Sequence, residues 1–372
     1  MKIEFFSKSY KLLIKPLLFA MDPQTAHELI SKIGQNLGKF DLSKRVIQAL
    51  FGFKNPTLNQ NVHGISFTNP VGLSEGYDKD GKMAEIIPYV GFGFMQIGSV
   101  TLNPYEGNAK PWLTRLVKSK AIIVNYGLKS AGVKKIIQNL KTSKLKPDFP
   151  ISVSVAKTNA KYTNCVEDGV KDYVLCLKEL VSQNIGDFYT INISCPNTFG
   201  GEPFTNTQSF DILAQEITTL NIQKPIFVKM PINLPWNDFK SICETCIKNN
   251  FAGVIIGNLQ KDRTNPDILD QIPADRPGGI SGKPTFKTSN ELISRTYQEF
   301  GNKLTIIGVG GIFSAQDAYE KIKRGASLVQ LITGMIYEGP QLIGDINRGL
   351  VALLKADGYT NISQAVGTHN GQ

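Results

Sequence analysis

Apolar, strand-like runs recur along the chain from residue 69 onward, at 69–73, 93–100, 151–156, 188–194, 225–230, 253–258, 304–309 and 328–333. The run at Phe188–Ile193 is apolar and β-branched enough to be buried on both faces. Between the runs lie segments with a helical period, at 79–88, 129–140, 165–183, 209–220, 236–249, 288–300 and 315–323. Eight strands alternating with helices predict an α/β fold, a (β/α)8 TIM barrel. A doubly wound open sheet is the alternative, but it usually carries a nucleotide fingerprint at its first strand, and none stands there. Upstream, residues 1–21 mix apolar side chains with Lys8, Lys11 and Lys15. Asp22-Pro23-Gln24-Thr25-Ala26-His27 then reads as an N-cap, a proline at the first helical position and a helix through Leu37. The pattern predicts a small N-terminal pair of amphipathic helices over 1–40, suited to a membrane interface or to docking on the main domain. Residues 41–60 read as a linker and Asn61–Phe67 as a short strand, half of a hairpin. The barrel domain is placed over 41–372.

With 372 residues, 41% hydrophobic and 19% charged, the chain can bury a sizeable core. Its net charge of +10, from 41 basic and 31 acidic residues, suits an anionic ligand or membrane surface. No basic run interleaved with aromatics points to nucleic acid. No apolar run approaches the roughly 20 residues of a membrane span, nor has the N-terminus the apolar core of a signal peptide. The five cysteines, 165, 176, 195, 243 and 246, are odd in number and irregularly spaced, which speaks against a disulfide framework and for a reducing compartment. Cys243-Glu-Thr-Cys246 has metal-ligand spacing, but Phe239, Ile242, Cys243, Cys246 and Ile247 share one helix face, and no second pair completes a site. Core packing is the expectation, and no metal.

The chemistry gathers where the runs end. In a barrel of this kind the strands' C-terminal tips form the active face. Here they carry Ser74, Glu75, Gly76 and Lys79; Ser99; Ser154 and Lys157; Asn192, Cys195 and Asn197; Lys229; Gly257 and Asn258; Gly310 and Gly311; Thr333 and Gly334. Buried amides and thiols need partners, and a ligand rich in carbonyl and N–H groups would supply them. The alternative for Cys195 is an inert buried thiol in a capped loop. Gly310-Gly311 and Thr333-Gly334 follow the last two strands, a common phosphate site, and Gly278–Gly282 can bring a third glycine backbone nearby. Lys79 and Lys229 stand near the mouth, where a buried ammonium calls for an anion such as a substrate carboxylate or the N1–O2 edge of a reduced flavin.

Six segments in order, Asn69–Gly81, Gly91–Thr101, Asn192–Thr198, Gly278–Pro284, Ile307–Ile312 and Gly325–Gln330, resemble dihydroorotate dehydrogenase from about residue 10 to the C-terminus. The leading Asp-Pro-x-x-Ala-His helix pair and the tail Asp357–Gly367 resemble the membrane-associated, quinone-reducing class 2 branch. The resemblance implies an FMN barrel that oxidises dihydroorotate to orotate in pyrimidine biosynthesis, with a quinone reoxidising the flavin through a tunnel formed by the N-terminal helices. The protein would lie peripherally on the cytoplasmic face of a bacterial inner membrane or on the mitochondrial inner membrane. Carried over by position, Cys195 is the catalytic base. Lys79, Asn192, Asn197 and Asn258 hold substrate, with Asn125 and the backbone of Tyr126, Gly127 and Leu128. The flavin would meet Glu75, Gly76, Lys79, Ser99, Ser154, Asn192, Lys229, Gly257, Gly282, Gly310, Gly311, Ile332 and Thr333. His27 and Arg115 belong to the quinone tunnel.

Several positions depart from the family pattern. Cysteine as base is the habit of the soluble class 1 enzymes, whereas class 2 members normally use serine. A substrate asparagine is Val124, for which Asn125 can substitute by a shift. Glu75 replaces a small residue beside the flavin, Leu259 a threonine, Ser154 an asparagine and Ile332 a tyrosine. Two further readings therefore stand beside the leading one: a relative acting on another cyclic substrate, and a flavin-binding, membrane-docked protein without turnover. Thr198–Ser209, rich in Gly, Thr and Asn, reads as a lid over Cys195.

Overall fold

The structure, a computed structural model, describes residues 8–371; the start of the expected N-terminal helix, residues 1–7, lies outside them. Eight parallel strands close into a barrel. They are β1 (Val71–Leu73), β2 (Phe94–Val100), β3 (Ile151–Val155), β4 (Phe188–Asn192), β5 (Ile226–Met230), β6 (Gly253–Ile256), β7 (Thr305–Val309) and β8 (Leu328–Leu331). Each pairs with its sequence neighbour, and β8 returns to β1 through Val329–Val71 and Leu331–Leu73. All eight fall within the apolar runs, because a parallel strand covered by helices outside and by the barrel interior inside must be apolar on most positions.

Along each strand alternate residues face the interior, and the inward series changes character from bottom to top. At the N-terminal end Phe94, Phe188, Phe227, Ile255, Ile307 and Leu328 pack with Phe67. One step up, Gln330 donates to Gln96 at 2.7 Å, and Ser152 and Thr190 lie 3.3 Å apart. The next inward step reaches Ser154, Asn192 and Lys229. Polarity at the mouth is thus built into the period of the strands. The expected half-hairpin is a complete one: Gln60–Val62 pairs with Ile65–Phe67 and lays Phe67 edge-on to Phe94, with ring centroids 5.3 Å apart.

The helix over Ala315–Lys323 has the bounds its periodicity predicts, and Cys243 and Cys246 are buried in the core on the helix Trp236–Lys248. Two expectations need correction. The segment 79–88 is mostly turns, because the Asp78 carboxylate takes the backbone N–H groups of Lys82 and Met83 and holds the chain in a tight loop; a helix appears only at Ile87–Val90. The supposed linker contains a helix, Asp41–Phe51, whose buried Lys44 reaches Glu85 at 3.4 Å. A three-stranded antiparallel sheet, Leu113–Leu116, Ala121–Val124 and Gly279–Gly282, also escaped the sequence pattern.

At the N-terminus, α1 (Lys15–Ala20) precedes α2 (Pro23–Gly38), and Asp22 caps α2 by accepting from the N–H groups of Gln24 and Thr25 at 3.0 Å. α2 packs through its small face: a Cβ on Gly34 would stand 2.5 Å from Met83 Cε. Leu29 and Ile33 face outward.

Candidate active site

Seven of the sequence-predicted strand-tip residues, Ser74, Glu75, Ser99, Ser154, Asn192, Lys229 and Asn258, meet in one network. The Glu75 carboxylate lies 2.9 Å from Lys229 Nζ, with both side chains buried. It also accepts from Asn192 Nδ2 at 3.0 Å and from Ser99 Oγ at 3.2 Å. Ser99 Oγ is 3.1 Å from Ser154 Oγ and accepts from Asn192 Nδ2 at 2.8 Å; Lys229 donates more weakly to Ser74 Oγ at 3.4 Å. Four strands therefore contribute side chains to one charged, fully hydrogen-bonded cluster. Asn192 extends it by accepting from the backbone N–H and hydroxyl of Ser194, to which Asn258 donates at 2.6 Å.

Cys195 follows this strand end. Burial pushes its thiol up to about 12, and the carboxylates of Glu75 and Glu202 push the same way; the Asn197 N–H and the Lys229 ammonium oppose them. The Lys157 ammonium also lies close enough to feel the thiol and donates to Phe199 O at 3.2 Å. Lys79 has no hydrogen bond or ion pair among the described residues; its ammonium sits 3.6 Å from the centroid of Tyr126. Burial lowers it to about 8, against the pull of Asp80 and Asp78. A cation placed this way is a ready partner for an anion.

The 124–130 loop is anchored around a residue that the sequence reading passed over. Asn108 Nδ2 donates to Asn125 Oδ1 at 3.1 Å and to Asn197 O at 2.8 Å, and its Oδ1 accepts from the Tyr105 hydroxyl. A Cβ on Gly127 would stand 2.2 Å from Asn108 Oδ1, so a side chain here would displace Asn108, and glycine also takes the positive φ of 64° without strain. Asn159 holds the Gly127 carbonyl at 2.9 Å, while Asn197 Nδ2 donates to Val124 O at 2.9 Å. The second polar function of Asn125 reaches Ala109 O at 3.4 Å, so its amide is turned to the 105–112 loop and does not take the place of Val124. Asn108 and Asn159 give no local signal in the sequence, because their partners lie in other loops. Leu128 flanks the site in the left-handed region, at φ 66°.

On the far side of the mouth Gly282, Gly310 and Gly311 have φ values of +99°, +113° and +71°. Ser281 Oγ and Thr333 Oγ1 stand 2.9 Å apart beside them. Gly257, with φ +118°, follows β6, and Ile332 is the nearest side chain to an imagined Cβ on Gly76, at 4.0 Å. His27 and Arg115 belong to a different neighbourhood, between the N-terminal helices and the barrel. His27 meets the edge of Tyr77 at 5.1 Å, and burial, with help from Lys79, lowers it to about 4. Arg115 donates to the carbonyls of Leu18, Phe19 and Met21 at 2.9, 3.3 and 2.7 Å and covers the Phe19 ring. It caps the end of α1. Tyr126 closes the gap by donating to Gln24 on α2.

Comparison with known proteins adds independent weight. Residues 57–354 match the family model described as dihydroorotate dehydrogenase. A "Dihydroorotate dehydrogenase (quinone)" of Crocosphaera subtropica is 37% identical over 360 residues, covering 93% of this chain and 94% of that protein. One from Corynebacterium diphtheriae is 34% identical over 366 residues, covering 97% and 98%. Among solved structures, ligand-free DHODH from Eimeria tenella superposes with a TM-score of 0.81 at 26% identity, covering 94% of this chain and 99% of that one. Its complex with ferulenol gives 0.85 at 24% identity, covering 96% and 99%, a likeness of fold.

Proposed function

The chain belongs to the dihydroorotate dehydrogenase family, and from that premise we propose that it is a quinone-dependent member which oxidises dihydroorotate to orotate in pyrimidine biosynthesis and passes the electrons through FMN to a quinone. The observation that carries the reading is the convergence of Glu75, Ser99, Ser154, Asn192 and Lys229 on one buried cluster, three residues before Cys195 and across the mouth from three left-handed glycines.

The residues present fit FMN. Its phosphate needs bare backbone and hydroxyls, which Gly282, Gly310, Gly311, Ser281 and Thr333 offer. The polar edge of its ring needs donors, and Lys229, Asn192 and Ser99 stand together there, each also engaged by Glu75. A bound FMN supplies two-electron acceptance. The rest of the chemistry falls to the protein. Lys79 holds the substrate carboxylate, and Asn192, Asn197 and Asn258 face the ring amides. Cys195, once deprotonated, takes the proton from the ring carbon next to the one that loses hydride. Its high pKa means that only a small fraction of the thiol is ionised near neutral pH, with the Asn197 N–H and Lys157 available to favour the thiolate.

Nine of the sixteen large apolar side chains exposed among the described residues lie between Leu12 and Val46. That concentration supports peripheral membrane docking by the N-terminal helices, at the cytoplasmic face of a bacterial inner membrane or at a mitochondrial inner membrane. No helix among the described residues is long and apolar enough to cross a membrane. On this reading a quinone would approach the flavin between the N-terminal helices and the barrel, in the neighbourhood of His27, which meets Tyr77, and of Arg115, which holds the end of α1.

The test is direct. Purified protein should be yellow, and anaerobic dihydroorotate should bleach the flavin band. One observation favours a second reading, another cyclic substrate: with Asn125 held by Asn108, no carboxamide stands at Val124. Flavin that dithionite reduces and dihydroorotate does not would decide for that second reading.

A further inference from the structure

Among the described residues three carboxylates are buried, on Glu75, Asp78 and Asp172. Asp78 accepts from two backbone N–H groups, and Asp172 from the backbone N–H and hydroxyl of Thr158. Both hold loops. Glu75 holds no backbone group. Its partners are side chains from three other strands, and one of them is Lys229, the buried cation at the barrel mouth. Nothing in the fold requires an acid here. Gly76, next in the chain, is anchored by its own N–H to Gly98 O at 2.8 Å, and Ser74 by its N–H to Leu331 O at 3.3 Å, so the backbone keeps its course without the Glu75 side chain.

We propose that Glu75 is a redox-tuning residue: by pairing with Lys229 it cancels the positive charge at the flavin edge and lowers the electron affinity of the bound flavin. The inference rests on the FMN reading above. Reduction places negative charge on the flavin ring, and a lone ammonium at that edge would stabilise the reduced form. With a carboxylate 2.9 Å from the ammonium, the pair is nearly neutral seen from the ring, and the carboxylate is itself a repulsive neighbour in a site shielded from water. The same carboxylate occupies Asn192 Nδ2 and Ser99 Oγ, two further donors that would otherwise be free to meet a flavin oxygen. The consequence for the two half-reactions is opposite in sign. Electron entry from the substrate loses driving force, and electron exit to the quinone gains it. Glu75 thus shifts the enzyme toward emptying its flavin.

The test compares flavin-loaded wild type with Glu75→Gln, Glu75→Ala and Glu75→Asp by anaerobic spectroelectrochemical titration, with the FMN dissociation constant measured beside it. Glu75→Gln and Glu75→Ala should each raise the equilibrium constant for two-electron reduction about tenfold or more, a shift of about 30 mV or more in midpoint potential. Glu75→Asp, which keeps the charge, should stay near wild type. Stopped-flow should show faster reduction by substrate and slower reoxidation by quinone in the neutral variants. A potential indifferent to both neutral variants, with FMN fully bound, overturns the inference and leaves the cofactor assignment standing. A purified chain that takes up no FMN overturns both.

Discussion

At the scale of single residues the site holds two groups that burial shifts in opposite directions, each toward its neutral form. Cys195 is pushed up to about 12 and Lys79 down to about 8. On the proposed mechanism the productive free enzyme needs the Cys195 thiolate and the Lys79 ammonium together. Below about pH 8 Lys79 is charged and the thiolate fraction grows tenfold per pH unit, so kcat/KM for dihydroorotate should climb with that slope. Above it the gain in thiolate and the loss of ammonium cancel, and kcat/KM should level off. In the substrate complex the bound carboxylate restores the Lys79 charge, so kcat should go on rising. A kcat/KM plateau already reached at pH 6 would mean a different base. Cys195→Ala should keep its FMN and lose about 100-fold or more in flavin reduction by substrate; unchanged reduction kinetics would remove Cys195 from the chemistry.

At the scale of elements the N-terminal helices are tied to the barrel by a few polar links. Arg115 satisfies three carbonyls at the end of α1, each such charged hydrogen bond contributing about 1.5–3 kcal/mol. Arg115→Leu should release amide protection over residues 10–22 first in hydrogen exchange, while the barrel strands stay protected. His27 adds an acid-sensitive link. Its folded pKa, about 4, lies below its ordinary value of 6.5, so the unfolded or detached form binds the proton more tightly. The docking contribution is complete above about pH 6.5 and is lost as pH falls through about 4. Acidification from pH 7 to 4.5 should loosen α2, and His27→Gln should blunt the effect. These elements also show where sequence reasoning reaches. The helix at 315–323 and the Asp22 cap are legible because their signals are local. The sheet joining 113–124 to 279–282 is not, because its pairing spans more than a hundred residues and three of its strands are only four residues long. Asp41–Phe51 was hidden by its many polar positions.

At the scale of the whole molecule the barrel and its ring of polar strand tips were legible, since strand period and strand order together place those residues at one end. What stayed hidden is how the tips partner one another. That Glu75 would turn to Lys229, or that Asn108 would gather Asn125 and Asn197, depends on distances no periodicity contains. The exposed apolar side chains form the other feature of this scale. Leu12 and Leu17 are 73% and 71% exposed. Replacing both with Glu should abolish sedimentation with anionic phospholipid vesicles and cut turnover with a long-chain quinone at least several-fold, while anaerobic reduction by dihydroorotate stays as it was. Equal vesicle binding by the variant would take the membrane contact away from these helices.

The hairpin Gln60–Phe67 carries a last consequence. With Phe67 wedged against Phe94 and Phe188, and Phe188 against Phe227, the bottom of the vessel is stoppered by interlocked rings. Everything that enters or leaves must use the upper rim, where two visitors of opposite character, one ionic and one greasy, converge on a single electron carrier. Such a one-ended vessel favours turn-taking: the first guest's electrons can be banked, its product can depart, and the second guest can collect them by its own door.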